Sequence, residues 1–177
     1  MFIFGLKEPP VKNIDVKLSE FEQRKYLVKA DNTPLRNTPI DFGINRVAHL
    51  FKGTHLIIDG EKGDFFRVFL SKNKYAWIAK KDVEIYEEEI SPKFITMDSQ
   101  TFKNASVHIL EFNEKLPYSI EETNKEIIFK VYNPFVQENS VYTVNIKKPN
   151  KYTYKLNLTE GVYNLKVSSL PILEEKN

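Results

Sequence analysis

A chain of 177 residues has room for one medium domain or two small ones, and 41% hydrophobic with 28% charged residues is ordinary for globular protein. The 26 basic and 24 acidic residues nearly cancel, so the sequence lacks the concentrated positive charge that drives nucleic-acid binding. Because there is no cysteine, disulfides, thiolate metal sites and thiol nucleophiles are excluded. No segment approaches the ~20 apolar residues that a membrane-spanning helix needs.

The first half of the chain is predicted to be an N-terminal tether followed by short strands. Residues 1–25 are predicted to be an N-terminal extension, since Pro9-Pro10 cannot lie inside a helix and no clean hydrophobic period follows. Residues 31–45 are predicted to be a long loop, and Lys52-Gly53-Thr54 a hairpin connection in which Gly53 adopts a positive φ. The predicted strands are 26–30, 47–51, 55–59, 65–70, 75–79 and 83–85. This spacing predicts a small closed barrel over residues 26–88.

The second half, residues 89–177, shows longer strands with wider loops. Glu87-Glu88-Glu89 and Pro92 form the predicted connector at the domain boundary. In 162–167 apolar and polar residues alternate, which is typical of a strand with one buried face. The predicted strands are 94–98, 106–112, 118–122, 126–132, 141–146, 152–158 and 162–167. Their number and their β-branched and aromatic content predict a β-sandwich, so the fold class is all-β.

Signatures of catalysis are missing from the sequence. It contains no glycine-rich phosphate loop, nucleophile elbow or His-Glu metalloprotease motif, so neither an enzyme nor a cofactor is predicted. His49 and His55 flank the Lys52–Thr54 turn and would face each other in a hairpin, which leaves a small zinc hydrolase as an alternative. A zinc site normally has three or four protein ligands, so we favour the interpretation that His49 and His55 are ordinary polar strand residues. No metal is therefore predicted. His108 is interpreted as a satisfied strand residue.

The sequence offers more candidate ligand-binding residues than catalytic ones. Phe42 lies in the long loop between Arg36 and Arg46, where cations suit the carboxylates of a peptide and exposed rings can stack on sugars. A core position is favoured for Trp77, which is nevertheless kept in the candidate set. The predicted ligand-binding residues are Arg36, Phe42, Arg46, Tyr75 and Trp77.

Two segments resemble known bacterial domains. The first is carried by Leu35-Arg36, Pro39, Arg46-Val47-Ala48-His49-Leu50, Lys52-Gly53-Thr54, Phe65-Phe66-Arg67-Val68 and Ala76-Trp77-Ile78. With these segments, residues 26–88 resemble a bacterial SH3-like domain, although Ala76 stands where that family usually has a glycine before the tryptophan, and the first loop is longer. Residues 114–122 with 127–131 look like the β-domain that precedes the catalytic part of some N-acetylmuramoyl-L-alanine amidases, and are similar to the AMIN domain.

These resemblances imply a function in the cell envelope. SH3-like and AMIN domains are associated with holding wall-cutting enzymes on peptidoglycan. The chain is therefore expected to be the non-catalytic targeting region of an exported amidase, with peptidoglycan or its stem peptides as ligand. The targeting signal and the zinc-dependent amidase domain, which is a second expected partner, would lie outside this sequence. The alternative is a protein-interaction or autoinhibitory module that contacts a catalytic domain or an envelope protein.

Overall fold

Antiparallel β-strands build the protein, as predicted for an all-β chain. The computed structural model describes residues 23–136 and 140–171. In those ranges the only helical segments are 3-10 turns at Gly43–Asn45 and Lys80–Asp82. The strands are β1 (Arg24–Val28), β2 (Thr33–Arg36), β3 (Arg46–Leu50), β4 (His55–Lys62), β5 (Phe65–Ser71), β6 (Lys74–Ala79), β7 (Val83–Ile85), β8 (Phe94–Thr101), β9 (Ala105–Phe112), β10 (Tyr118–Glu122), β11 (Glu126–Asn133), β12 (Ser140–Lys147), β13 (Tyr152–Thr159) and β14 (Val162–Ser169).

Two further predictions concern the N-terminal extension and membrane-spanning helices. The predicted tether lies outside the described residues up to position 22, and Arg24 and Lys25 already belong to β1. Within 23–136 and 140–171, no helix has the length and apolar character needed to cross a membrane.

The first half forms one sheet of seven strands in the order β3-β2-β6-β5-β4-β1-β7. Contrary to the prediction, this sheet does not close into a barrel, because β3 and β7 stand at its two ends and do not pair. The edge at β3 is covered instead by β10 of the second half, where the Tyr118 hydroxyl donates to the His49 carbonyl at 2.8 Å. An uncovered edge strand exposes backbone N–H and C=O groups that can pair with another chain, and β10 protects the β3 edge from this as barrel closure would.

Strand β2 lies in the segment that the sequence assigned to a loop. Pro34 was interpreted as a loop marker, since proline has no N–H to donate to a sheet. The structure accommodates it because β2 pairs with β6 only at Arg36, so Pro34 needs no ladder bond on that side. On its other side β2 pairs with β3 along its length.

The Lys52–Thr54 turn is not a hairpin, which corrects a second prediction. β3 and β4, which it joins, are four positions apart in the sheet order. Gly53 does adopt the predicted positive φ, 82°, and its N–H donates to the Val28 carbonyl at 2.9 Å. The turn is thus anchored at the end of β1, and it carries the chain across the sheet. His49 and His55 consequently do not face each other.

The second half is a sandwich of two sheets, β10-β11-β12 and β13-β14-β9-β8, and its seven strands match the predicted ones within three residues at each end. Apolar residues at every second position of β14 face the inside of the sandwich. Tyr163, Leu165 and Val167 are buried, as the sequence pattern predicted. Aromatic rings fill the space between the sheets. Tyr163 contacts Phe112 of its own sheet and Phe129 of the other, with ring centroids 6.0 and 6.1 Å apart.

The two halves share a continuous apolar cluster and several hydrogen bonds. Besides the Tyr118 contact, the His55 N–H donates to the Lys115 carbonyl at 2.9 Å, and the Lys115 ammonium donates to the Lys52 carbonyl at 3.0 Å. The connector is held as well, since the Asn133 side chain donates to the carbonyl of buried Pro92 at 2.9 Å. These contacts fix the segment 52–55 against the start of the sandwich.

Candidate functional site

A cavity of about 660 Å³ opens on the first sheet, between β2, the loop 37–45 and the turn at Lys80–Asp82. Two arginines reach it for a structural reason: Arg36 ends β2, Arg46 begins β3, and the strand register pairs them directly. Its walls carry both signs of charge. The charged residues that line it are Arg36, Arg46, Lys80, Lys81, Asp41, Asp64 and Asp82.

Arg36 is the buried cation of this cavity. Its side chain is 8% exposed, and its Nη2 lies 2.8 Å from Oδ1 of Asp41. Its Nη1 is shielded from solvent and has no hydrogen-bond partner in the described part of the chain. A buried donor without a partner is unfavourable, because it has lost its bonds to water and gained none in return. One donor of Arg36 is therefore left without an acceptor among the described residues.

Arg46 is the exposed cation beside it. Its Nη1 lies 3.3 Å from Nε2 of His49, which is three residues further along β3. Burial lowers the pKa of His49, and the charges of Arg46 and Arg36 lower it further. His49 thus stays neutral near neutral pH, and its Nε2 can accept from the guanidinium. This contact orients Arg46 without cancelling its charge.

The loop 37–45 forms the outer wall and has a defined shape. The Asn45 side chain donates to Thr38 Oγ1 at 2.7 Å and to the Ile40 carbonyl at 2.9 Å, so one amide fastens the base of the loop. The tip presents apolar side chains to solvent: Ile40 is 60%, Phe42 58% and Ile44 84% exposed. These three residues line a neighbouring depression of about 480 Å³. Phe42 therefore lies next to the arginine cavity and not inside it.

Trp77 and Tyr75 lie on the same sheet face as Arg36. Trp77 is the register partner of Arg36 on one side and of Arg67 on the other, and it is buried between them. Tyr75, two residues earlier, covers the Arg67 guanidinium, whose Cζ lies 3.9 Å from the ring centre. The structure thus brings Arg36 and Arg46 together in the cavity, places Phe42 at its margin, and gives Trp77 and Tyr75 packing positions beside it.

Several cavity residues were missed by the sequence reasoning. Asp41 was not singled out although it adjoins Phe42, and Lys80-Lys81-Asp82 was not singled out either. The signal for Asp41 was present, since an acidic residue in a loop between two arginines predicts an ion pair. Lys80–Asp82 could not be assigned in the same way, because only the sheet order brings this turn next to β2.

The other two histidines are buried away from the cavity. His55 contacts Glu114 through Nε2 at 3.2 Å, and His108 lies between the hydroxyls of Ser99 and Ser106, each at 2.9 Å. Each imidazole is thus held by side chains other than a second histidine. Within 23–136 and 140–171 no group of three or more His, Cys, Asp or Glu side chains is arranged to hold a metal ion.

These histidines predict that the protein loses stability in mild acid. The pKa values of His49, His55 and His108 are lowered from 6.5, in each case mainly by burial. The unfolded chain therefore binds protons more readily, so stability is fully present above pH 6.5 and is lost as the pH falls below it. We expect the melting temperature to decline from about pH 7.5 to about pH 5.5 and His108→Gln to flatten the decline. A flat wild-type profile would contradict this expectation.

Comparisons with known proteins leave the resemblances described above as predictions. No family model, no curated protein and no solved structure matches this chain. The cavity is therefore the feature on which a functional proposal has to be built.

Proposed function

We propose that this chain is a non-catalytic binding module that holds an exported N-acetylmuramoyl-L-alanine amidase on peptidoglycan in the cell envelope. The observation that carries the proposal is the cavity in which Arg36 and Arg46 lie side by side. Guanidinium groups bind carboxylates with two parallel hydrogen bonds, and the stem peptides of peptidoglycan carry such carboxylates.

The mixed charge of the cavity supports a peptide ligand over a polyanion. Asp64 and Asp82 stand beside the cations, so an amino group of the ligand would meet a carboxylate where its carboxyl group meets an arginine. The charged groups of a nucleic acid backbone are all phosphates, and these acidic residues would repel them. Stem peptides contain both kinds of charged group.

One observation favours the alternative, a protein-interaction module. The exposed tip formed by Ile40, Phe42 and Ile44 is an apolar patch of the kind that protein partners cover. In that case the partner would be a catalytic domain of the same enzyme or an envelope protein. Retention on such a partner, together with no retention on purified wall, would select this alternative.

Cosedimentation with purified peptidoglycan sacculi tests the first proposal. Arg46→Ala removes an exposed side chain and leaves the core intact, so we expect about tenfold weaker binding with an unchanged melting temperature. Lys155→Ala is the matched control, since Lys155 is an exposed cation on β13 of the sandwich. Wild-type protein that stays in the supernatant at low salt with several wall types would refute the proposal. Equal binding of Arg46→Ala and wild type would remove the cavity from it.

The double variant Arg36→Ala with Phe42→Ala removes both the buried cation of the cavity and the aromatic ring at its margin. Unchanged wall binding in this double variant would move the ligand site elsewhere.

A further inference from the structure

Arg36 and Asp41 form an unequal ion pair. The arginine side chain is 8% exposed, whereas that of Asp41 is 79% exposed. A carboxylate that is largely in water gains little from such a pair, so Asp41 itself loses little when water replaces Arg36 as its partner. A buried guanidinium gains more from its acceptor, because water cannot replace the lost bond.

The pair also leaves one nitrogen of the guanidinium without a partner among the described residues. Asp41 accepts from Nη2 at 2.8 Å, while Nη1 is shielded and has no partner among the described residues. A free carboxylate that fits the cavity can engage two guanidinium nitrogens with its two oxygens. Asp41 contacts only one of these nitrogens, which makes it a weaker occupant than a ligand with a carboxylate free to orient.

The loop that carries Asp41 lies between β2 and β3 and belongs to neither strand. Asn45 fastens the base of the loop at Thr38 and Ile40, and Gly43, next to the tip, has open space around it. Displacement of the tip would take Asp41 away from Arg36 without breaking strand pairing.

We infer that Arg36 is the carboxylate subsite of the cavity and that Asp41 is an internal competitor which a ligand carboxylate displaces. This inference rests on the proposed binding function and adds a regulatory contact to it. The ligand group is a carboxylate at a chain end or side chain, and the loop 37–45 opens when it binds. Asp41 thus sets the affinity of the site and prevents weak anions from occupying it.

Titration with N-acetylalanine tests the inference, with binding followed by the backbone amide resonances of the protein. Asp41→Asn keeps the shape and one acceptor but loses the charge, so we expect roughly tenfold tighter binding than in wild type. Asp64→Asn is the matched control: it removes the same charge from the same cavity but not the partner of Arg36, and we expect a smaller change. N-acetylalaninamide, which lacks the carboxylate, is expected not to bind.

Three outcomes would overturn the inference. Asp41→Asn that binds no more tightly than wild type removes the competitor role, and equal gains in Asp41→Asn and Asp64→Asn would show a general charge effect. Inorganic phosphate that binds as tightly as N-acetylalanine would show a site for any anion. If Asp41→Asn does not fold, the wild type decides: saturating N-acetylalanine must shift the Asp41 carboxyl carbon resonance, and an unmoved resonance contradicts displacement.

Failure of this inference is separable from failure of the wall-binding proposal. Sacculus binding by the wild type that is weakened by Arg46→Ala, but unaffected by Asp41→Asn, would keep the wall-binding proposal and reject the competitor. N-acetylalanine binding with the predicted Asp41→Asn gain, but no sacculus binding, would keep the carboxylate subsite and reject peptidoglycan.

Discussion

Replacement of Gly161 with alanine is expected to unfold the sandwich. A Cβ at this position would lie 2.0 Å from the Phe112 carbonyl oxygen and 2.7 Å from its carbon, both of which are backbone atoms. The Phe112 N–H also donates to the Gly161 carbonyl at 2.8 Å, so the two segments cannot separate without losing this bond. We expect a loss of more than about 4 kcal/mol in the free energy of unfolding, measured by chemical denaturation.

Gly43→Ala is the matched control for this prediction. No atom lies within 4 Å of a Cβ at Gly43, and its backbone is not in the left-handed region. We expect a change within about 0.5 kcal/mol there. A Gly161→Ala protein with wild-type stability would show that the β13–β14 turn does not approach β9 as closely as described.

Arg67→Ala is expected to be the most damaging change in the first sheet. Arg67 donates to Asp59 through Nε at 2.8 Å and Nη2 at 3.0 Å, and both side chains are 11% exposed. Tyr75 covers the guanidinium. Removing one partner leaves an uncompensated buried charge, so we expect a loss of about 3–5 kcal/mol in the free energy of unfolding.

A double-mutant cycle with Asp59→Ala separates the pair from the packing. The double variant is expected to be more stable than the sum of the two single losses predicts, since it leaves no unpaired charge. Lys130→Ala, which breaks a half-exposed contact with Glu121, is the control and is expected to cost at most about 1 kcal/mol. Additive losses at Arg67 and Asp59 would contradict the proposed coupling.

Local patterns predicted most of the strands but not the order of the first sheet. The alternation along β14 identified its buried face because a strand with one dry side repeats every two residues. Strand β2 was missed because Pro34 is a poor strand residue, and its tolerance depends on which neighbour pairs with it. The open sheet was missed because the covering of β3 by β10 is a contact between distant parts of the chain.

The candidate site was predictable only in part. Arg36 and Arg46 were chosen because they flank a loop, and the structure pairs them in the register of β2 and β3. The burial of Arg36, and the lack of a partner for its Nη1 among the described residues, follow from packing and cannot be seen in the sequence. A core position was favoured for Trp77 although it was kept in the candidate set, and the structure buries it between Arg36 and Arg67.

Chemical-shift mapping with soluble peptidoglycan fragments tests the central claim most directly. The fragments should carry intact stem peptides, and the protein should be titrated until its amide resonances stop moving. We expect the largest shifts at Arg36, Asp41, Arg46 and Lys80–Asp82, which surround the cavity. Shifts concentrated in the sandwich strands between residues 94 and 169, or no shifts at saturating fragment, would contradict the account.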